Sequence, residues 1–247
     1  MKKITQLLAG IFTCLPLFAI ADSQVTVHYP GQSTAAVVSH AANLEQLVAS
    51  PALQGKTWWP GTVIADSMAT AVAQQQYQQL MARLQAFRAD SDGDDAATIS
   101  NVIQQLSAVK VTGRQIINLD PDWVRLHSED NRRLNGAYDL YTLAKPDTVT
   151  LFGALSGSGK VSWRPGASVR DYLDGHERLS GAERSIAIII APSGEVTRAP
   201  IAYWNHRHIE VEPGSAIYLG FSSWSLSGEW EDLNQQIISV LTHRIPD

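Results

Sequence analysis

Arg114 makes the heaviest demand on its surroundings. It follows Gly113 and precedes Ile116 and Ile117 in a stretch of β-type spacing, so half-burial there would carry an always-charged guanidinium inward. A buried guanidinium needs a partner, either an internal carboxylate such as Asp120 or Asp122, or a ligand. Gly113 would let a backbone or a ligand come close, and the planar donor fork of Arg114 suits carboxylate partners and acidic sugars. Trp58, Trp59, Trp163 and Trp204 offer faces on which a sugar ring could stack, although tryptophan more often fills a core. Arg114, Trp58, Trp59 and Trp204 form the candidate set for holding a ligand or partner.

Catalytic chemistry is less well supported. Asp120 with Asp122, or Glu210 with Glu212, could serve as acid and base on a glycosidic bond, but paired acids are commonplace on an acidic surface. The histidines are scattered without an identifiable Ser-His-Asp set, and no Gly-x-Ser-x-Gly elbow occurs. No catalytic residue is assigned, and the expectation is a protein that is not an enzyme.

Three motifs resemble metal or nucleotide sites and fall short. His206 and His208 would share one face of a strand, but no third ligand of recognisable spacing accompanies them for zinc. Asp90, Asp92 and Asp94 begin like a calcium loop, yet Asp95 stands where glycine is required and Asn101 where a bidentate acid is required. A solvated loop with Asp94 or Asp95 capping the next helix is the simpler expectation. Gly153 to Lys160 mimics a phosphate loop but has five residues between Gly153 and Gly159, where four are required, and Val161 in place of the magnesium-binding hydroxyl. It also joins two strands rather than opening a helix. No metal and no cofactor is expected.

The elements that must position these residues read as follows. Lys2 and Lys3, the apolar run from Leu7 to Ile20 and Ala19-Ile20-Ala21 make residues 1–21 a cleavable export signal, with the mature chain starting at Asp22 in the periplasm. Cleavage removes Cys14, the single cysteine, and with it any disulfide or thiol chemistry. The formal net charge of -5 becomes more negative still, which argues against nucleic-acid binding. No later segment is apolar for long enough to span a bilayer.

Strands are expected near 25–29, 111–118, 138–143, 148–152, 161–163, 185–190, 196–199 and 216–221. The Ala- and Gln-rich stretch from Asp66 to Arg88 and the segment from Ile99 to Val109 have helical spacing, and together predict a helical hairpin over about 64–109 that projects from the first half. Leu226, Trp230, Leu233, Ile237 and Leu241 form one apolar stripe, predicting a terminal amphipathic helix over about 227–243 that docks within the chain. The fold class is α+β, divided at about 146/147 into residues 22–146 and 147–247.

Longer strings carry a resemblance. Val149-Thr150-Leu151-Phe152-Gly153, Pro165-Gly166, Ser180-Gly181-Ala182, Pro192-Ser193-Gly194 and Glu212-Pro213-Gly214-Ser215, in that order, resemble the soluble-ligand-binding β-grasp domains of Wza-type polysaccharide export proteins. With Trp58-Trp59-Pro60-Gly61, Val111-Thr112-Gly113-Arg114-Gln115, Asn118-Leu119-Asp120-Pro121-Asp122 and Ala199-Pro200-Ile201-Ala202-Tyr203-Trp204-Asn205, nearly the whole mature chain is similar to the capsule-biosynthesis GfcC family. The resemblance implies two β-grasp domains, a helical hairpin inserted in the first and a C-terminal amphipathic helix. It further implies a periplasmic, non-enzymatic role in capsule or exopolysaccharide biosynthesis or export, with polysaccharide or a component of the export machinery as partner. A glycan-acting enzyme using paired carboxylates and a purely structural adaptor are the alternatives.

Overall fold

Val25 and Val27 are buried while Gln24, Thr26 and His28 face outward to differing degrees, and this period of two builds strand β1 (Ser23–His28). The computed structural model describes residues 23–205 and 207–246. The export signal over residues 1–21 and the start at Asp22 lie outside the described residues, as does His206.

After β1 come β2 (Ala36–Ser39), α1 (Leu44–Val48), β3 (Val63–Asp66), α2 (Ser67–Ala89), α3 (Gly93–Ser107), α4 (Pro121–Leu126) and β4 (Gly136–Tyr141). The second half contributes β5 (Thr148–Gly153), β6 (Gly159–Ser162), α5 (Val169–Leu173), β7 (Ile186–Ile190), β8 (Val196–Pro200), β9 (Ala216–Leu219) and α6 (Leu233–Thr242). Two mixed sheets result, in the orders β2-β1-β4-β3 and β6-β5-β9-β7-β8. Each pairs its first strand in parallel with its last, β1 with β4 and β5 with β9, and flanks that pair with antiparallel strands. The chain is α+β, and both sheets are consistent with a β-grasp order.

The hairpin of α2 and α3 lies in sequence between strands of the first sheet, but it does not project from it. Leu80, Leu84 and Phe87 of α2 and Ile99, Val102 and Leu106 of α3 are buried in one cluster with Val149, Leu151, Ile217 and Tyr218 of the second sheet and Leu233, Ile237 and Leu241 of α6. Helical periodicity shows that a face is apolar, not which neighbour covers it. Here the second sheet takes that face, while the first is closed by Leu44 and Leu47 of α1, Leu53 after it and Val124 of α4.

Polar side chains reinforce the same contact. Gln105 of α3 donates through Nε2 to the Gly153 carbonyl (3.0 Å) and accepts from the Gly153 N–H (2.7 Å), acting as an extra strand residue at the end of β5. Asn234 of α6 does likewise for Phe221, accepting from its N–H (3.0 Å) and donating to its carbonyl (2.7 Å), while its Oδ1 also accepts from the buried Tyr218 hydroxyl (2.8 Å). The acidic loop does not cap α3 as expected. Asp92 holds the capping position without a side-chain bond, Asp94 and Asp95 sit in the first turn, and Asp95 accepts from Ser180 Oγ (2.5 Å) in the second half.

Two other readings need correction. Residues 111–118 form no strand. Gln115 N–H donates to the Ile64 carbonyl and Asp66 N–H to the Gly113 carbonyl, but Arg114 and Ile117 N–H groups turn back to Thr112 and Gln115, so no ladder can propagate. The terminal helix is broken into a 3₁₀ turn at Gly228–Trp230 and α6. The Glu229 carbonyl accepts from the Arg83 guanidinium, which also pairs with Asp232 (2.8 Å) and lies 5.9 Å from the Trp230 ring centre. The break itself contains Gly228 in the left-handed region (φ 60°), just before the residues that Arg83 contacts. At about 1.5 Å per residue, α6 is roughly half the length needed to cross a hydrocarbon core of about 30 Å, and no helix among the described residues is long and apolar enough to do so.

Because the hairpin fills the second core, Leu84→Ala is expected to destabilise the chain by about 2–5 kcal/mol, read by chemical denaturation. A hairpin that merely projected would lose its own helicity and leave the transition of the second half where it was.

Candidate functional site: a groove between the two sheets

The loop before β3 is shaped by tryptophan and glycine. Residues Trp59–Gly61 form a 3₁₀ turn with Pro60 near its start, and Trp58 N–H donates to the Leu143 carbonyl (2.6 Å). A side chain at Gly61 would sit 2.5 Å from Leu143 Cδ2 and 2.9 Å from the Trp58 ring, so Trp58 packs behind the turn while Trp59 faces the groove. On the other wall, Asp120 caps α4, its Oδ1 accepting from the Asp122 and Trp123 N–H groups (2.9 and 3.2 Å), with Pro121 at the first helical position. Trp123 is held by stacking on His127 (3.7 Å between ring centres) and by its indole N–H donating to Asp130 (2.8 Å). The turn after β7 closes the groove with Ser193 and Glu195, and Glu212 joins it. The resulting groove has a volume of about 780 Å³.

Arg114 lies at the seam. Only 5% of it is exposed, and Gly113 beside it is required because a Cβ there would lie 2.2 Å from the Thr70 backbone nitrogen. The guanidinium reaches across to the second half, where Nη2 donates to the Pro192 carbonyl and the side chain lies over Gly194. Its Nη1 is buried with no hydrogen-bond partner among the described residues. Burial, and secondarily the charge of Arg244, push the Arg114 pKa down to about 9.

The expected ion pair to Asp120 or Asp122 is absent. Asp120 is committed to its cap, and Asp122 pairs with Arg125 (2.9 Å) on the exposed side of the same helix. A carbonyl, carboxylate or phosphate oxygen delivered to Nη1 would therefore meet a donor that the chain leaves unsatisfied.

The structure brings Trp59, Arg114, Asp120 and Asp122 to one groove. Trp58 supports it from behind, and Trp204, 76% exposed on the loop after β8, does not line it. Trp163 is structural, its indole N–H donating to the Val211 carbonyl (2.8 Å). Glu210 lies 3.7 Å from His208, apart from Glu212 in the groove. No group of three metal-ligating side chains occurs among the described residues. Gly153 to Lys160 is the β5–β6 hairpin connection, and no helix begins there.

Sequence reasoning missed Trp123, Ile116 and Glu195. The signal for Trp123 was present in Asp120-Pro121-Asp122-Trp123, a helix start that fixes where the indole stands. Nothing local marked the other two, which are brought in by the packing of the two halves.

Residues 21–145 match the family model described as capsule biosynthesis GfcC, N-terminal, and residues 157–246 match capsule biosynthesis GfcC C-terminal. The chain is similar to the Escherichia coli (strain K12) protein named "Uncharacterized protein YjbG", 46% identical over 226 residues that make up 92% of each chain.

A guanidinium whose pKa is lower folded than unfolded binds its proton less tightly in the fold. The stability tied to Arg114 is therefore lowest below about pH 9 and rises as pH climbs toward the ordinary arginine value. Arg114→Met is expected to keep the stability of the wild type at pH 7 within about 1 kcal/mol, the lost bond to Pro192 offsetting the relief of a buried charge. The balance should then move in favour of the wild type above about pH 9. Denaturation at both pH values checks this, and a large loss at pH 7 would mark a paired structural charge.

Proposed function

This chain belongs to the capsule-biosynthesis GfcC family, and from that membership we propose that it is a non-enzymatic periplasmic accessory protein. In this role it holds polysaccharide, or a component of the export machinery, in the groove between its sheets. The family supports a part in capsule biosynthesis. The carrying observation for the finer reading is the groove itself, in which Trp59 and the fixed indole of Trp123 can stack on sugar rings. Asp120, Asp122, Glu195 and Glu212 supply acceptors for hydroxyls, and the unsatisfied Nη1 of Arg114 supplies a donor at the seam.

The enzymatic alternative draws on the same carboxylates. Hydrolysis of a glycosidic bond needs one acid and one base or nucleophile facing each other across the bond. Asp120 and Asp122 instead belong to one helical turn and serve a cap and an ion pair, which favours binding over turnover.

Affinity electrophoresis through the surface polysaccharide of the producing cells tests the reading. Trp59→Ala and Trp123→Ala are each expected to weaken retardation about tenfold, the scale of losing one stacked ring with its buried area. Unchanged retardation in both variants would contradict the groove. Shortening of the polysaccharide by purified protein, lost in Asp120→Asn, would establish the enzyme in its place.

A further inference from the structure

Two other clefts flank the segment that leaves α3. One, of about 590 Å³, lies between α3 and the β5–β6 hairpin, and the other, of about 580 Å³, lies between α2 and Tyr141 of β4. They share Val109, Lys110 and Ile245, so they meet where the Ile245 N–H donates to the Lys110 carbonyl (2.8 Å). Neither shares a residue with the groove between the sheets.

The lining differs in kind from that groove. Among the described residues no carboxylate lines either cleft, in a chain that carries 24 Asp and Glu. Their walls are amide-rich instead. The side-chain amides of Gln104 in one cleft and of Gln74 and Gln78 in the other are uncommitted among the described residues, unlike Gln105, which is consumed by Gly153. Phe152 and Tyr141 give each cleft a half-buried ring. Lys110 stands exposed at the junction and forms no ion pair among the described residues.

Amides donate and accept at once, which matches the paired demands of sugar hydroxyls, and rings suit the C–H faces of a pyranose. Lys110, in a cleft that Lys160 and Arg244 also line and whose described lining holds no carboxylate, adds attraction for a negative group without a like-charged wall to repel it. We propose that the joined clefts bind an acidic oligosaccharide, one end in each cleft, with a carboxylate or phosphate substituent at Lys110. This rests on the reading that the protein handles polysaccharide, and it assigns the anionic glycan class to a surface other than the carboxylate-lined groove.

Calorimetric titration of the chain without residues 1–21 with tetragalacturonate, and with neutral maltotetraose as control, decides the matter. Tetragalacturonate is expected to bind more tightly than maltotetraose, with Lys110→Glu weakening it about tenfold or more and Gln104→Ala combined with Gln78→Ala weakening it by a comparable factor. All three positions are exposed, so the folded state is retained and circular dichroism confirms it. Trp59→Ala should leave this binding unchanged. Absence of binding, indifference to Lys110→Glu, or loss only in Lys110→Glu with the amide variant unaffected would overturn the proposal, the last showing charge attraction alone. Loss in Trp59→Ala would overturn it too, by moving the ligand to the groove. If tetragalacturonate binds as expected while Trp59→Ala and Trp123→Ala leave retardation by the native polysaccharide intact, the groove reading fails and the cleft stands.

Discussion

The burial of the α2–α3 hairpin against the second sheet is the contact on which the rest of the molecule depends. A segment encoded between strands of the first sheet supplies Leu80, Leu84, Phe87, Ile99, Val102 and Leu106 to the core of the second. Removing that apolar surface from water is the main favourable term, and its location means that the second half has no complete core without chain from the first, whereas the first sheet's cluster is built from its own residues. The two sheets are thereby joined by a shared core in addition to the linker between β4 and β5. The groove and the clefts at their boundaries are formed by elements whose relative positions that core sets.

Polar detail follows the same boundary. Gln105 and Asn234 each satisfy a backbone N–H and carbonyl at the end of a strand of the second sheet, so the helices are fixed in register as well as by contact. Arg114 works against stability at the same boundary, since it brings a charge inward and leaves Nη1 without a partner, offset only in part by its bond to the Pro192 carbonyl.

Much of this was legible in the sequence, and the limits have physical causes. Alternation of Val25 and Val27, the continuous run from Ile186 to Ile190 and the helical spacing of Leu80, Leu84 and Phe87 all mark elements that the structure contains, because local periodicity reports the pattern of burial directly. The stripe at Leu233, Ile237 and Leu241 correctly marks an inward helix face, but the contact that Arg83 makes beside Trp230 comes from nearly 150 residues earlier and has no local signature. The same applies to the hairpin, whose apolar face is visible and whose cover is not. Residues 111–118 have the composition of a strand and fail to become one because the Arg114 and Ile117 N–H groups turn back to carbonyls of the segment itself and interrupt any ladder. In the groove, Trp59 and Arg114 could be singled out by residue type, whereas Ile116 and Glu195 meet them only after the halves pack.

The shared core is tested most directly by native-state hydrogen exchange, which reads the free energy at which each segment opens. The amides of Leu80 to Phe87 in α2 should exchange at the same free energy as those of Ala216 to Leu219 in β9, since the two pack in one cluster. Opening of the hairpin at a distinctly lower free energy, with β9 still protected, would contradict the account and return the hairpin to the role of an appendage of the first sheet.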